Sequence, residues 1–317
     1  MAIPKTHIND SIRKINANSW LIGEKLQLYR GRTASHTQPS WSDGEGGYFI
    51  LSDAPQPLPE SRAHPENSPE LPRVYDAGDQ AAVWRAGDAF IKVHDVKTPQ
   101  KTREHSTLQF LHSKTEEKPL GFEIPTVLYH GEWDSREYHV LTRVRGQTLA
   151  AAWPSMDGTL REFFVTRIAE ICQQLAEWKR DASQGVGGAD GGWMEEMYLT
   201  TKHNTSLNPQ VLAQSCGAMG MDISSPFVFY HTDLGPTNII VDAESRSIGI
   251  IDWETAGYVP IEWVRTKFRL SSGMDFPQGD GEDYKSTDWR RLVGVKLGEM
   301  GFKDAVEGWL MFRASRN

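Results

Sequence analysis

Residues 231–238 read His-Thr-Asp-Leu-Gly-Pro-Thr-Asn, and residues 252–254 read Asp-Trp-Glu. Ahead of the first stretch runs the apolar segment Phe227-Val228-Phe229-Tyr230. Between the two stretches, Asn238 to Val241 and Ile248 to Ile251 form a β-hairpin pattern around a turn at Ala243 to Ser247. Asp252 ends the second strand of that hairpin. The grouping has a chemical logic. Asp233, on a tight loop, can hold an acceptor hydroxyl and take its proton. Asn238 can turn its carboxamide back toward a cation, and Asp252, carried alongside by the hairpin, adds a second carboxylate to an all-oxygen Mg²⁺ site. An aspartate before a turn and an asparagine beyond a proline also satisfy local backbone groups. Taken alone, the spacing would mean no more than that. The flanking apolar runs and the hairpin favour the chemical reading.

The spacing matches the pattern H-x-D-L-x-x-x-N of kinase catalytic loops, where phosphoryl transfer needs positioned charge more than covalent help. The stretches Pro226 to Asp242, Gly249 to Glu254 and Ala256-Gly257-Tyr258-Val259-Pro260 with Glu262-Trp263 resemble the aminoglycoside phosphotransferase / choline kinase superfamily, and its fungal-type members in particular. The resemblance spans about residues 73–270 and is specific in the second half. It implies an α+β, two-lobed protein-kinase-like fold, with a small antiparallel-sheet N-lobe and a mainly helical C-lobe. It implies further that Asp233 is the catalytic carboxylate, that Asn238 and Asp252 are Mg²⁺ ligands, and that His231 braces the loop.

The nucleotide grip belongs upstream. Arg73 to Tyr75, Ala81 to Arg85 and Ala89 to Val93 read as a three-strand meander, with a tight turn at Ala86-Gly87-Asp88. Lys92 on the third strand stands where the family places its phosphate-binding lysine, although a strand-edge lysine in solvent is the commoner case. Glu104, on a helix expected over Lys101 to Lys114, would pair with Lys92 and fix its geometry. Gly78, Asp79 and Gln80 are the candidate phosphate loop. A single glycine there equally suits an ordinary hairpin turn. Two more strands are expected over Thr126 to His130 and Glu137 to Arg143. Thr142 to Gly146 resembles the family's inter-lobe hinge, where the backbone of Arg143 and Val144 would meet the adenine edge.

Two departures from the family pattern stand out. Thr232 occupies a position usually held by glycine, and Gly235-Pro236-Thr237 replaces a stretch that often carries a basic residue. Acceptor recognition would lie further on. Asp275, Asp280, Glu282 and Asp283 could attract an amine, or form a solvated acidic loop. Trp193, Trp263, Trp289 and Trp309 could line an acceptor pocket, or be core. Glu262 suits either a substrate contact or a structural brace. Glu116, Glu117 and Glu123 read as solvated charges. His94, His105 and His203 lack metal-site spacing.

The 317 residues, 38% of them hydrophobic, suffice for two packed lobes. Residues 1–30 show a weak helical pattern through Ile8, Ile12, Ile15, Trp20, Leu21 and Leu26. Residues 31–72 are rich in proline and read as a loop or partly disordered linker, with a short strand at Tyr48 to Leu51. The expected divisions are 1–72, an N-lobe over 73–146 and a C-lobe over 147–317. A long amphipathic helix runs through Leu160 to Trp178, residues 181–225 read as a loop region, and helical pieces follow Gly257. A net charge of −8 argues against a nucleic-acid binder. No apolar run is long enough for a membrane helix. Cys172 and Cys216 read as reduced, buried thiols of a cytoplasmic protein. The expectation is a monomeric, ATP- and Mg²⁺-dependent phosphotransferase acting on a small-molecule hydroxyl. A non-catalytic nucleotide-binding protein on the same fold is the alternative. A protein kinase fits less well, because Asp252-Trp253-Glu254 replaces D-F-G and no A-P-E segment follows.

Overall fold

The computed structural model describes residues 7–66, 68–200, 205–270, 274–276 and 287–314. The chain divides into two compact units, Met1–Pro99 with Pro125–Arg143, and Gln100–Ile124 with Val144–Asn317. The class is α+β, with antiparallel sheets throughout.

The first unit carries β1 (Ile12–Asn16), β2 (Ser19–Ile22), β3 (Leu26–Gly31), β4 (Ser40–Ser42), β5 (Tyr48–Asp53) and β6 (Arg62–Ala63) in a six-stranded sheet, ordered β4-β5-β3-β2-β1-β6. This corrects both expectations for residues 1–72. Only a single 3₁₀ turn, Ile8–Ser11, precedes the strands. The isoleucine and leucine spacing is equally compatible with short strands broken by turns, and the turns win. Gly23 and Glu24 both adopt the left-handed region (φ 54° and 59°), which folds β2 back onto β3. In the proline-rich stretch, Pro39, Pro55, Pro57, Pro59, Pro65, Pro69 and Pro72 all fall outside strands. They end strands that cannot accommodate a missing N–H without dissolving the fold between them. Trp41 is buried there, and its indole N–H donates to the Ala86 carbonyl at 2.7 Å.

The meander then forms as expected: β7 (Arg73–Asp76), β8 (Ala81–Ala86) and β9 (Ala89–Asp95), joined by β10 (Val127–Trp133) and β11 (Arg136–Thr142) in the order β10-β11-β9-β8-β7. Lys92 therefore lies on the central strand, opposite Val83 on one side and His139 on the other. Alternation gives this sheet two unlike faces. Ile91, Val93, Tyr138 and Val140 join Trp20, Leu28, Phe49 and Trp84 in one buried core shared with the first sheet. Lys92, His94, Glu137 and His139 occupy the other face.

The second unit holds α1 (Glu104–Glu117), then β12 (Gln147–Thr148), α2 (Leu149–Ala152) and α3 (Gly158–Leu175), capped by the Asp157 carboxylate on Leu160 N. β13 (Lys179–Arg180) follows, and the 181–225 segment expected to be loop contains β14 (Gly187–Gly188) and α4 (Pro209–Ala218), which Asn208 caps with Pro209 in the first turn. β15 (Phe227–Tyr230), β16 (Ile239–Asp242), β17 (Ser247–Ile250), β18 (Gly257–Val259), α5 (Ile261–Arg269), α6 (Asp288–Glu299) and α7 (Val306–Ala314) complete it. No helix among the described residues is long and apolar enough to cross a membrane. Cys172 and Cys216 are free and buried, and burial pushes both thiols well up.

Trp20 is fully buried between the two sheets' apolar faces. Trp20→Ala should cost about 3–5 kcal/mol in urea unfolding. A loss under about 0.5 kcal/mol, the scale of surface changes, would mean that residues 12–63 are a loose appendage.

Candidate active site

Strand β15 is buried along its whole length and delivers the chain to His231. His231 is itself fully buried, its Nε2 is 3.0 Å from the Ile251 carbonyl, and its ring lies 4.6 Å from that of Trp253. It thus ties the start of the 231–238 loop to the end of the β16–β17 hairpin. The hairpin closes the other side, where Ile251 N–H donates to the Asn238 carbonyl at 3.0 Å. Two residues at this junction are in the left-handed region, Thr232 (φ 61°) and Asp252 (φ 66°). For a β-branched residue that conformation is unusual, and it explains why glycine suits position 232. Thr232 is held by a reciprocal clasp. Its Oγ1 donates to the Thr255 carbonyl at 2.8 Å, and Thr255 Oγ1 donates to the His231 carbonyl at 3.2 Å.

Within this frame Asn238 Nδ2 donates to the Asp233 carbonyl at 2.8 Å and to Asp233 Oδ2 at 3.0 Å. Both amide hydrogens are directed at Asp233, which leaves Asn238 Oδ1 as a donor atom for a cation. Burial pushes the Asp233 carboxyl up to about 6, against the pull of Lys267; the negative charges of Asp252 and Glu196 add to the rise, and the Asn238 hydrogen bond opposes it. Crowded carboxylates that raise one another are relieved by a cation. Two carboxylates and a carboxamide are hard oxygen donors of the kind Mg²⁺ takes. The residues present therefore fit that ion.

Two neighbours were not singled out from the sequence. Lys267 and Glu196 are both buried, with Lys267 Nζ 3.2 Å from Glu196 Oε2 and 4.5 Å from the centre of the Tyr198 ring. Trp263 Nε1 donates to the same Glu196 oxygen at 3.2 Å. The available signal was a lysine one helical turn after Trp263 on the buried face of α5, where Val264 and Phe268 are core. This cation supplies positive charge to a loop whose own stretch, Gly235-Pro236-Thr237, has none.

Glu104 is buried in the first turn of α1, and its Oε1 accepts the Trp253 backbone N–H at 3.0 Å, anchoring the residue after Asp252. Gly78, Asp79 and Gln80 form an exposed turn between β7 and β8, in which Asp76 Oδ1 accepts Gly78 N–H at 2.8 Å. The chain passes between the two units at Arg143 and Val144. Arg143 N–H donates to the Asp88 carbonyl at 2.8 Å, and Val144 packs against Gly249, where an added Cβ would meet Val144 at 2.4 Å. Trp263 and Trp289 are core, whereas Trp193 and Trp309 are half-buried. Asp275 is paired with Arg290. Asp280, Glu282, Asp283 and His203 lie outside the described residues.

A family model described as the phosphotransferase enzyme family matches residues 72–263. The chain belongs to that family. It is accordingly a phosphotransferase. Solved structures similar to this phosphotransferase include a streptomycin–ATP–APH(2″)-IIa ternary complex, 13% identical over 78% of this chain and 84% of the other, with a TM-score of 0.46. APH(3″)-Id from Streptomyces rimosus is 16% identical over 78% and 92%, with a TM-score of 0.45. A type VIII aminoglycoside-3′-phosphotransferase is 14% identical over 77% and 92%, with a TM-score of 0.47. No curated protein matches the chain.

The pH dependence of stability follows from Asp233. A carboxyl raised from its ordinary value to about 6 on folding contributes stability below its unfolded pKa. That contribution is lost as the pH rises through about 6. In metal-free buffer Asp233→Asn should therefore raise stability at pH 7.5 by about 1–3 kcal/mol. The gain should shrink toward zero near pH 4. A pH-independent gain in thermal or urea unfolding would show that the buried charge is not its source.

Proposed function

We propose that this phosphotransferase carries the γ-phosphate of ATP to a hydroxyl of a small molecule in a Mg²⁺-dependent reaction, with Asp233 as the catalytic carboxylate. The observation that supports the reading is the grouping of Asp233, Asn238 and Asp252 at the closure of the β16–β17 hairpin. Asn238 and Asp252 would hold the ion, which when bound supplies charge neutralisation to the phosphate oxygens. Asp233 orients the acceptor oxygen and receives its proton as transfer completes. Lys267, buried in α5, keeps a positive charge near Asp233 and favours its ionised form. Glu104 holds the backbone beside Asp252, and Lys92, on the central strand of its sheet, neutralises the α- and β-phosphates. The backbone amides of Gly78, Asp79 and Gln80 cap phosphate oxygens, and the backbone of Arg143 and Val144 takes the adenine edge. Carboxylates outnumber cations around the loop, with Asp233, Asp252 and Glu196 against Lys267. That balance suits the divalent ion.

An untargeted mass-spectrometric screen for ATP-dependent phosphorylated products, run over a small-molecule panel rich in amino alcohols, tests this. Asp233→Asn should lose roughly 10²–10⁴-fold in turnover while retaining nucleotide binding. Lys92→Met should instead raise KM for ATP. Unchanged turnover in Asp233→Asn would overturn the assignment.

A further inference from the structure

The hairpin β10–β11 carries a second cluster that the phosphotransferase reading does not use. Its turn, Asp134-Ser135, has both residues in the left-handed region (φ 51° and 55°), the two-residue geometry that matches the twist of paired strands. That turn locks the register outward: Trp133 opposite Arg136, Glu132 opposite Glu137, Gly131 opposite Tyr138 and His130 opposite His139. Glu137 and His139 are two apart on one strand and so share a face, and cross-strand pairing adds His130 and Glu132 to it. It is the face turned away from the Tyr138 and Val140 core.

The side chains converge there. His139 Nε2 lies 2.7 Å from Glu137 Oε1, and His130 Nε2 lies 3.6 Å from the same oxygen. The two imidazole rings are 5.0 Å apart. One ligand atom from each of the three residues lies within 4.8 Å of the others. Ligand atoms about 2.0–2.2 Å from one ion stand roughly 3.3 Å apart in a tetrahedron, so the contacts of 2.7 and 3.6 Å bracket the spacing an ion imposes. Glu132 Oε1 lies 4.0 Å from His130 Nε2 at the more exposed rim. From β9, Lys92 faces His139 and His94 faces Glu137.

We propose that His130, Glu137 and His139 form a binding site for a zinc-class divalent cation. Two imidazoles and a carboxylate on rigid, register-locked strands are a nitrogen–oxygen set suited to Zn²⁺ and poorly suited to Mg²⁺, which takes oxygen ligands. Both histidines bind as neutral imidazoles through Nε2. Binding through Nε2 places the ring proton of each histidine on Nδ1. The assignment is independent of the Asp233 chemistry and needs no nucleotide.

The full-length chain, stripped with a chelator, is titrated with Co²⁺ in the absence of nucleotide. Visible ligand-field absorption is read, followed by displacement with Zn²⁺. One equivalent should bind with the spectrum of a nitrogen–oxygen site, and Zn²⁺ should raise the melting temperature. Glu137→Gln, which keeps the side-chain shape, and His139→Ala should each weaken binding at least about tenfold and abolish the Zn²⁺-induced thermal shift. Asp252→Asn and His36→Ala, at an exposed histidine, should leave the Co²⁺ spectrum intact. Absence of stoichiometric binding overturns the proposal. So does binding that Glu137→Gln leaves unchanged, or binding that Asp252→Asn removes. Circular dichroism confirms folding, and Glu137→Gln keeps the test decisive should His139→Ala fail to fold.

Discussion

The return of the β16–β17 hairpin to its own origin is the constraint on which the candidate active site rests. Ile251 N–H meets the Asn238 carbonyl, and the Ile251 carbonyl meets the buried His231 ring, so both ends of the 231–238 loop are tied to the residue before Asp252. Without that closure Asp233 and Asp252 would belong to separate stretches of chain. With it, two carboxylates are held in a partly dry environment where their charges oppose one another. Left-handed backbone at Thr232 and Asp252 is tolerated because hydrogen bonds over-determine the junction. The crowding that destabilises ionised Asp233 is opposed by the positive charge of Lys267.

A different device organises the first unit. Tight left-handed turns set strand register, and register assigns each side chain to one of two faces. At Gly23-Glu24 the device gives an apolar sheet face, and the N-terminal strands become half of a shared core. At Asp134-Ser135 it aligns two histidines and a glutamate on the polar face that also carries Lys92. The facing apolar surfaces of the two sheets supply stability, and the opposite face of the second sheet carries its polar side chains. Its N-terminal strands lie outside the residues matched by the family model.

The elements legible beforehand are those with a strong local signal. Apolar alternation with glycine turns marks β7 to β9, and Phe227 to Ile251 marks β15 to β17, because period and punctuation survive any tertiary context. The spacing of Asp233, Asn238 and Asp252 was readable for the same reason, since a loop and its hairpin are contiguous in the chain. Residues 8–63 were not readable as a sheet. Their isoleucines and leucines fit two periodicities, and the choice depends on a partner surface from Trp84, Ile91 and Tyr138 that is distant in sequence. Lys267, Glu196 and the His130–Glu137–His139 group were missed because no local pattern announces them.

Chain order alone therefore determined the family and the grouping of Asp233, Asn238 and Asp252, which reside in short contiguous motifs with their own hydrogen-bonding logic. Tertiary structure decided which charges face one another. It placed Lys267 near Asp233, gave Glu104 the Trp253 amide, paired Asp275 with Arg290 and made Trp263 and Trp289 core. Electrostatics and burial depend on distances between remote segments, and those exist only once the strands and helices have packed.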